Sequence, residues 1–263
     1  KKRIFTGAGI AILTPMHADG SINWEEFGRL IDWQIENSTD AIIVCGTTGE
    51  SSTMSDEEHL NAIRFAVERA AGRVPVVAGA GSNDTAYAVN LAKESKEAGV
   101  DGILVVTPYY NKTSQRGLIA HYNTIADATD LPMILYHIPG RTGVTIATQT
   151  FKELSKHPNI VAVKEASGNI SKITETKYLC GDDLDLYSGN DDQIVPILSM
   201  GGQGCISVLS NVVPKETVAI TDQFFAGNVA EAARLQCQFM PLIRSLFCES
   251  NPIPVKAAMS ALG

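Results

Sequence analysis

Short apolar runs alternate with longer amphipathic segments along the whole chain. Each run is bounded by turn-forming residues, which is typical of a strand, and each longer segment has the apolar period of a helix. The predicted strands are Gly9–Leu13, Ala41–Cys45, Pro75–Ala80, Gly102–Val106, Pro132–His137, Ile160–Glu165, Leu184–Ser188 and Gly204–Ser207. The predicted helices between and after them are Trp24–Asn37, Ser55–Ala71, Thr85–Ala98, Ser114–Ala128, Thr148–Lys156, Ile170–Cys180, Gln193–Met200 and Lys215–Ala226.

The predicted strands mostly lack the polar alternation of a half-exposed sheet. Strands with both faces buried have this pattern in parallel sheets covered by helices. Eight strand–helix units favour an α/β fold, a (β/α)8 TIM barrel, over an open sheet. Two further helical segments, Val229–Phe247 and Val255–Leu262, follow. Since no linker interrupts the chain, we expect residues 1–226 to form the barrel and residues 227–263 a C-terminal helical extension.

Composition narrows the function classes. The 263 residues carry a formal net charge of −8, which disfavours binding to nucleic acid or to an anionic membrane. No apolar run is long enough to span a membrane. The five cysteines form no C-x-x-C pair and no signal peptide is seen, so we expect reduced thiols in a cytoplasmic protein. The five histidines are scattered, and we expect no metal site.

Lys164 lies within the predicted strand Ile160–Glu165. An ammonium on a buried strand face is costly unless it is paired or loses its proton. The neutral amine of a desolvated lysine attacks carbonyl groups and forms a Schiff base. The alternative is a lysine at a strand end whose side chain reaches solvent.

The carboxyl ends of the other strands supply a consistent set of polar groups. In a TIM barrel these ends meet at one face, where the active site lies. Each group also has a structural alternative: a tight turn at Thr47-Thr48-Gly49, packing at Tyr109-Tyr110, a core Tyr136 and a solvated Arg141. The set comprises Gly46-Thr47-Thr48-Gly49-Glu50-Ser51, Thr107-Pro108-Tyr109-Tyr110-Asn111, Tyr136 to Gly143, Ser188-Gly189-Asn190-Asp191 and Cys205-Ile206-Ser207.

Together these groups suit Schiff-base chemistry, which needs a proton shuttle to dehydrate the carbinolamine and to interconvert imine and enamine. Tyr136 is on the strand next to Lys164, and hydroxyls of Thr48 and Tyr110 could carry protons to the barrel mouth. Arg141 could bind a substrate carboxylate. A backbone N–H group with the hydroxyls of Thr47 and Thr48 could hold the carboxylate of a 2-oxo acid.

These motifs resemble the dihydrodipicolinate synthase / N-acetylneuraminate lyase family of pyruvate-dependent class I aldolases, from Phe5 to the chain end. The resemblance implies that Lys164 forms the Schiff base with pyruvate and needs no metal or organic cofactor. It also implies a homo-oligomer, either a dimer or a tetramer built from dimers. It implies a proton relay of Tyr136, Thr48 and Tyr110, in which Tyr110 reaches into a neighbouring subunit's site. It implies that Thr47 and Ile206 bind pyruvate, with Gly189 nearby. It also implies that Arg141 guides the aldehyde substrate.

The resemblance further implies a lyase that condenses pyruvate with L-aspartate 4-semialdehyde to 4-hydroxy-tetrahydrodipicolinate in lysine (diaminopimelate) biosynthesis. Arg141 favours this activity, because the lyase branch of the family typically has an apolar residue there. One alternative is another aldolase of the family, such as a 2-keto-3-deoxy sugar acid aldolase or an N-acetylneuraminate lyase. Another is a non-catalytic barrel that binds a keto acid or an amino acid, although a binder needs no proton relay.

The chain departs from the family pattern at three places. His137 replaces the usual asparagine, and we expect an altered hydrogen-bond network with the relay retained. Lysine-inhibited members carry histidine and glutamate where Asp56 and Tyr87 stand, so we expect lysine inhibition to be weak or absent. Members usually continue beyond the position of Gly263, so we expect a shortened helical extension. Residues that match the family's lysine site remain at Ser51, His59, Asn83 and Tyr109.

Overall fold

The computed structural model of the chain describes residues 1–263. Eight parallel strands follow one another around a closed barrel, in which β1 pairs with both β2 and β8. The predicted (β/α)8 TIM barrel is confirmed. The strands are β1 (Gly7–Ala11), β2 (Ala41–Val44), β3 (Val76–Gly79), β4 (Gly102–Val106), β5 (Met133–His137), β6 (Ile160–Glu165), β7 (Asp185–Ser188) and β8 (Gly204–Ser207).

Helices surround the barrel and continue after it. The predicted helices are all present, and one short helix between β5 and β6 is additional. The helices are α1 (Trp24–Glu36), α2 (Asp56–Ala70), α3 (Thr85–Glu97), α4 (Gln115–Asp127), α5 (Pro139–Thr142), α6 (Thr148–Leu154), α7 (Ile170–Cys180), α8 (Ile194–Ser199), α9 (Pro214–Phe225), α10 (Val229–Leu246) and α11 (Ile253–Leu262).

Side-chain caps explain where several helices begin. The hydroxyl of Ser55 accepts from the backbone N–H of Glu58, and the Glu58 carboxylate accepts from the backbone N–H of Ser55. This reciprocal pair satisfies two donors that α2 would otherwise leave free. Asn23 caps α1 with a single hydrogen bond, in which its side-chain oxygen accepts from the backbone N–H of Glu26.

Barrel closure changes the start of β1. The strand begins at Gly7, whereas the sequence predicted Gly9, because Gly7 pairs with Gly204 of β8. A Cβ on Gly204 would lie only 1.9 Å from the carbonyl oxygen of Gly7, so this contact requires a glycine. Since glycine has low strand propensity, the apolar pattern does not reveal this pairing.

The barrel interior is a packed core. Phe5, which precedes β1, stacks on Tyr187 of β7 with 4.4 Å between ring centroids. The Tyr187 hydroxyl donates to the carbonyl oxygen of Phe5 at 2.5 Å. A larger apolar layer fills the space between the strands and the helices. Polar chemistry is therefore confined to the ends of the strands.

The last two helices contact the barrel from outside. Gln236 of α10 accepts from the backbone N–H of Val195 and donates to the carbonyl oxygen of Asp192. The ammonium of Lys256 on α11 lies 2.5 Å from the carboxylate of Glu50, in the loop after β2. The connection between α10 and α11 runs close to the carboxyl ends of the strands, since Asn251 within it contacts Thr48. None of the helices combines the length and the apolar character of a membrane-spanning helix.

Candidate active site

Lys164 and Tyr136 are neighbours on adjacent strands. Their Cα atoms are register partners between β5 and β6, and their side chains are only 5% and 6% exposed. The Lys164 Nζ lies 4.2 Å from the centroid of the Tyr136 ring. The lysine is therefore buried against an aromatic face, and its side chain does not extend into solvent as the structural alternative requires.

Gly189 leaves room beside the lysine. A Cβ at this position would lie 3.1 Å from Cγ of Lys164 and 2.9 Å from Cβ of Ala166. Ile206 of β8 is fully buried and belongs to the same interior cluster as Tyr136. The predicted pyruvate-binding residues Gly189 and Ile206 thus lie on the strands and loops around Lys164.

A buried carboxylate also lies in this region. Asp191 is 3% exposed, and its Oδ2 accepts from the backbone N–H groups of Val208 and Leu209 at 3.1 and 2.8 Å. Burial raises the pKa of Asp191, while these hydrogen bonds and the charge of Lys164 act in the opposite direction. Asp191 belongs to the motif Ser188-Gly189-Asn190-Asp191, but the sequence pattern alone indicates no role for it.

The two threonines after β2 occupy different surroundings. Thr47 lines the main cavity at the barrel mouth, whereas Thr48 is 3% exposed and is not part of the cavity wall. The Thr48 Oγ1 accepts from Nδ2 of Asn251 at 2.9 Å. Asn251 precedes α11, and no sequence pattern indicates its role, since only the tertiary fold brings this loop to the barrel mouth.

The cavity at the mouth has a volume of about 740 Å³. The ring of Tyr136 forms part of its wall, and Lys164 lies behind the wall against that ring. Tyr110 lines the cavity but is 89% exposed on this chain, with a left-handed backbone φ of +68°. The cavity brings together Thr47, Tyr109, Tyr110, Tyr136 and Arg141.

Arg141 lies on the short helix α5 at the rim of the cavity. Its Nη2 donates to the backbone carbonyl oxygen of Asn251 at 2.9 Å. Pro139 begins α5, where its missing N–H costs nothing, and Gly143 ends the helix with a φ of +69°. This contact leaves other N–H groups of the guanidinium free to bind an anion.

His137 follows Tyr136 but lies on the opposite side of the strand, because successive side chains of a strand alternate between faces. Its Nδ1 is 2.9 Å from Oε2 of Glu165, and its ring packs edge-on against Phe151. Both His137 and Glu165 are buried. His137 therefore does not line the cavity.

The four residues that match the family's lysine site lie beside the same mouth. Ser51, His59 and Tyr109 line the cavity, whereas Asn83 lines an adjacent one of about 320 Å³. The Asn83 side chain donates to the carbonyl oxygen of Tyr109 at 3.1 Å. His59 is buried with Nε2 2.8 Å from the carbonyl oxygen of Gly79, and burial lowers its pKa.

Asp56 and Tyr87, the two residues that differ from lysine-inhibited members of the family, contact each other. The Tyr87 hydroxyl donates to the Asp56 carboxylate at 2.5 Å. Burial, and next the Asp56 carboxylate, raise the pKa of Tyr87 to about 12. The phenol is therefore a neutral group whose proton is already bound.

Comparisons with known proteins agree with the geometry. The chain is 56% identical over 260 residues to 4-hydroxy-tetrahydrodipicolinate synthase of Caldicellulosiruptor saccharolyticus, covering 99% of this chain and 88% of that protein. Dihydrodipicolinate synthase of Thermotoga maritima superposes with a TM-score of 0.97 at 41% identity, covering 99% and 90% of the two chains. The lysine-bound enzyme of Cyanidioschyzon merolae superposes with a TM-score of 0.96 at 43% identity, covering 100% and 90%. The model of the "Dihydrodipicolinate synthetase family" matches residues 4–263, and the chain belongs to this family.

Proposed function

We propose that the protein condenses pyruvate with L-aspartate 4-semialdehyde to give 4-hydroxy-tetrahydrodipicolinate, a step of lysine (diaminopimelate) biosynthesis. The observation that carries this proposal is the buried Lys164 amine against the Tyr136 ring, which itself forms part of the wall of a cavity rimmed by Arg141. The names of the relatives support the same reaction.

Lys164 acts first. Its neutral amine attacks the carbonyl carbon of pyruvate, and the carbinolamine loses water to form the imine. Tyr136 supplies the proton for that water, since its ring contacts Nζ and its strand is in register with that of Lys164. The tyrosinate that remains then takes a proton from the pyruvate methyl group, which gives the enamine and restores the phenol.

The enamine carbon attacks the aldehyde carbon, and the resulting alkoxide takes a proton from the relay. The amino group of the aldehyde substrate then attacks the imine carbon and displaces Lys164, which closes the ring. One water is lost overall, and the lysine returns to its free state. The lysine itself is the covalent catalyst, so the reaction needs no organic cofactor or metal.

The two threonines have separate roles in this proposal. The family resemblance implies the relay for Thr48 and pyruvate binding for Thr47, and we propose the exchanged roles. Thr47 lines the cavity together with Tyr136, as a relay requires. Because Thr48 Oγ1 accepts from Asn251, its own proton is left to donate to a carboxylate.

Arg141 selects the aldehyde. Its guanidinium can bind the carboxylate of aspartate semialdehyde while Asn251 holds the opposite edge. Gly189 and Ile206 provide the apolar surface around the pyruvate body.

We also propose that the protein acts in the cytoplasm as a homo-oligomer. Tyr110 supports an oligomer, because a relay residue that is 89% exposed on one chain needs further protein around it to exclude water. In this proposal Tyr110 completes a neighbouring subunit's site.

Steady-state assays with two aldehydes test the substrate. We expect turnover of pyruvate with aspartate semialdehyde, and Arg141→Ala to raise KM for this aldehyde by about a hundredfold, because a bidentate charged contact is lost. KM for pyruvate should change little. Faster turnover with a sugar-derived aldehyde, unaffected by Arg141→Ala, would favour a 2-keto-3-deoxy sugar acid aldolase instead.

A further inference from the structure

His137 bridges the Lys164 strand and the segment that follows Arg141. The ring nitrogen Nδ1 lies 2.9 and 3.1 Å from the two carboxylate oxygens of Glu165, which succeeds Lys164 in β6. The second ring nitrogen, Nε2, accepts the backbone N–H of Ile146 at 3.2 Å. Both contacts are buried, and the histidine is only 2% exposed.

The two contacts define the tautomer. Since the N–H of Ile146 donates to Nε2, this nitrogen carries a lone pair, and the ring proton of the neutral imidazole is on Nδ1. The Nδ1–H group then donates to the Glu165 carboxylate. Glu165 also accepts the backbone N–H of Ser167 at 2.7 Å, so the buried carboxylate is held on two sides.

The segment between His137 and Ile146 carries Arg141. It leaves the barrel at the end of β5, forms the four-residue helix α5 and returns toward the barrel wall. Inside the turn, Thr142 bonds only to Ile138 and Val144 of the same segment. At the exit, Gln115 of α4 holds the flanking Thr145 and Ala147 from the outer side. The imidazole therefore ties Ile146, at the exit of this segment, to the end of β5, and the Thr142 hydroxyl adds a second link between Ile138 and Val144.

We propose that His137 is a positioning residue for Arg141, and that it fixes the aldehyde subsite relative to the lysine strand through Glu165 and Ile146. His137 touches no substrate in this inference. It fixes the distance between the Arg141 turn and β6. The guanidinium therefore holds the aldehyde where the enamine can attack it. This inference rests on the proposed function.

Two substitutions separate the two hydrogen bonds. In His137→Asn, the amide nitrogen replaces Nδ1 and keeps the bond to Glu165, but the side chain is too short to accept from Ile146. In His137→Gln, the longer side chain brings its amide oxygen to the position of Nε2, where it accepts the N–H of Ile146. Both variants lose the ring packing on Phe151 equally. His121→Asn is the matched control, because His121 is buried and its Nδ1 contacts only Thr85 at 2.8 Å.

The kinetic measurement compares the change in KM for the aldehyde with the change in KM for pyruvate in each variant. We expect His137→Asn to raise KM for aspartate semialdehyde by about three- to tenfold, the effect of one lost hydrogen bond, and to leave KM for pyruvate within about twofold. His137→Gln should restore most of the affinity, and His121→Asn should leave both KM values unchanged.

Amide hydrogen exchange gives a readout that does not depend on catalysis. We expect exchange at Ile146 to be faster in His137→Asn, and to stay near the parent rate in His137→Gln and His121→Asn. Unchanged exchange at Ile146, or equal KM changes in His137→Asn and His121→Asn, would overturn the inference. Failure of the parent protein to use aspartate semialdehyde would contradict the proposed function alone.

Discussion

The buried lysine is the residue on which the account depends. A lysine in a strand can be a catalytic amine or a residue whose side chain reaches solvent at the strand end. The residues around Lys164 indicate which of the two it is. The ring of Tyr136 covers it, Gly189 makes room for it, and its charge acts to lower the pKa of the buried Asp191. These contacts restrict both the position of the amine and its access to solvent.

Gly189→Ala tests this restriction. The added methyl group would lie 2.9 Å from Ala166 Cβ, so Lys164 or the loop must shift. We expect the rate of pyruvate adduct formation to fall by about ten- to a hundredfold, because a displacement of about 1 Å at a reacting group has effects of this size. Rapid-quench trapping of the adduct measures this rate.

Gly140→Ala serves as the control for that substitution. A Cβ on Gly140 meets no atom within 4 Å, so its adduct rate should match that of the parent protein. An equal loss in both variants would show that the space beside Lys164 has no special importance.

At the scale of elements, the loops after the strands carry nearly all the chemistry, and helices hold them in place. The carboxyl of Asp56 at the start of α2 joins the phenol of Tyr87 in α3, and this contact closes one side of the region beside Tyr109. Tyr87 has a neutral side chain whose proton is already bound to Asp56. It therefore offers no negative charge to an incoming ammonium group.

We expect free lysine to bind weakly or not at all. The candidate site keeps Ser51, His59, Asn83 and Tyr109, but it lacks a carboxylate at position 87 to pair with an ammonium. Isothermal titration calorimetry with L-lysine measures this directly. Tyr87→Glu should strengthen binding by at least about tenfold, because it restores an ion pair within the cavity. Micromolar binding by the parent protein would contradict this prediction.

The strands and helices were predictable because their apolar periods reflect burial. Four elements were predicted with the observed bounds, namely Gly102–Val106, Ile160–Glu165, Ile170–Cys180 and Gly204–Ser207, and most other ends moved by a residue or two. The helix α5 was not predicted, since four residues that include a proline and a glycine show no helical period. α11 begins at Ile253 and not at Val255, because Pro254 is tolerated in a first helical turn.

At the scale of the whole molecule, barrel closure brings distant motifs to one mouth. The sequence alone predicted this convergence for Thr47, Tyr110, Tyr136, Arg141 and Lys164, because eight parallel strands share one carboxyl face. It did not predict Asn251, whose contacts with Thr48 and Arg141 depend on how the last helices return to the barrel. It also did not predict that His137 faces away from the cavity and joins Glu165 to Ile146.

Borohydride trapping followed by intact-mass spectrometry tests the central claim most directly. The protein is treated with and without pyruvate, and Lys164→Ala is treated in parallel. We predict a pyruvate-dependent mass increase that peptide mapping assigns to Lys164, and no increase in Lys164→Ala. Absence of the adduct in folded parent protein, or an adduct on another lysine, would contradict the Schiff-base mechanism and favour a keto-acid-binding barrel.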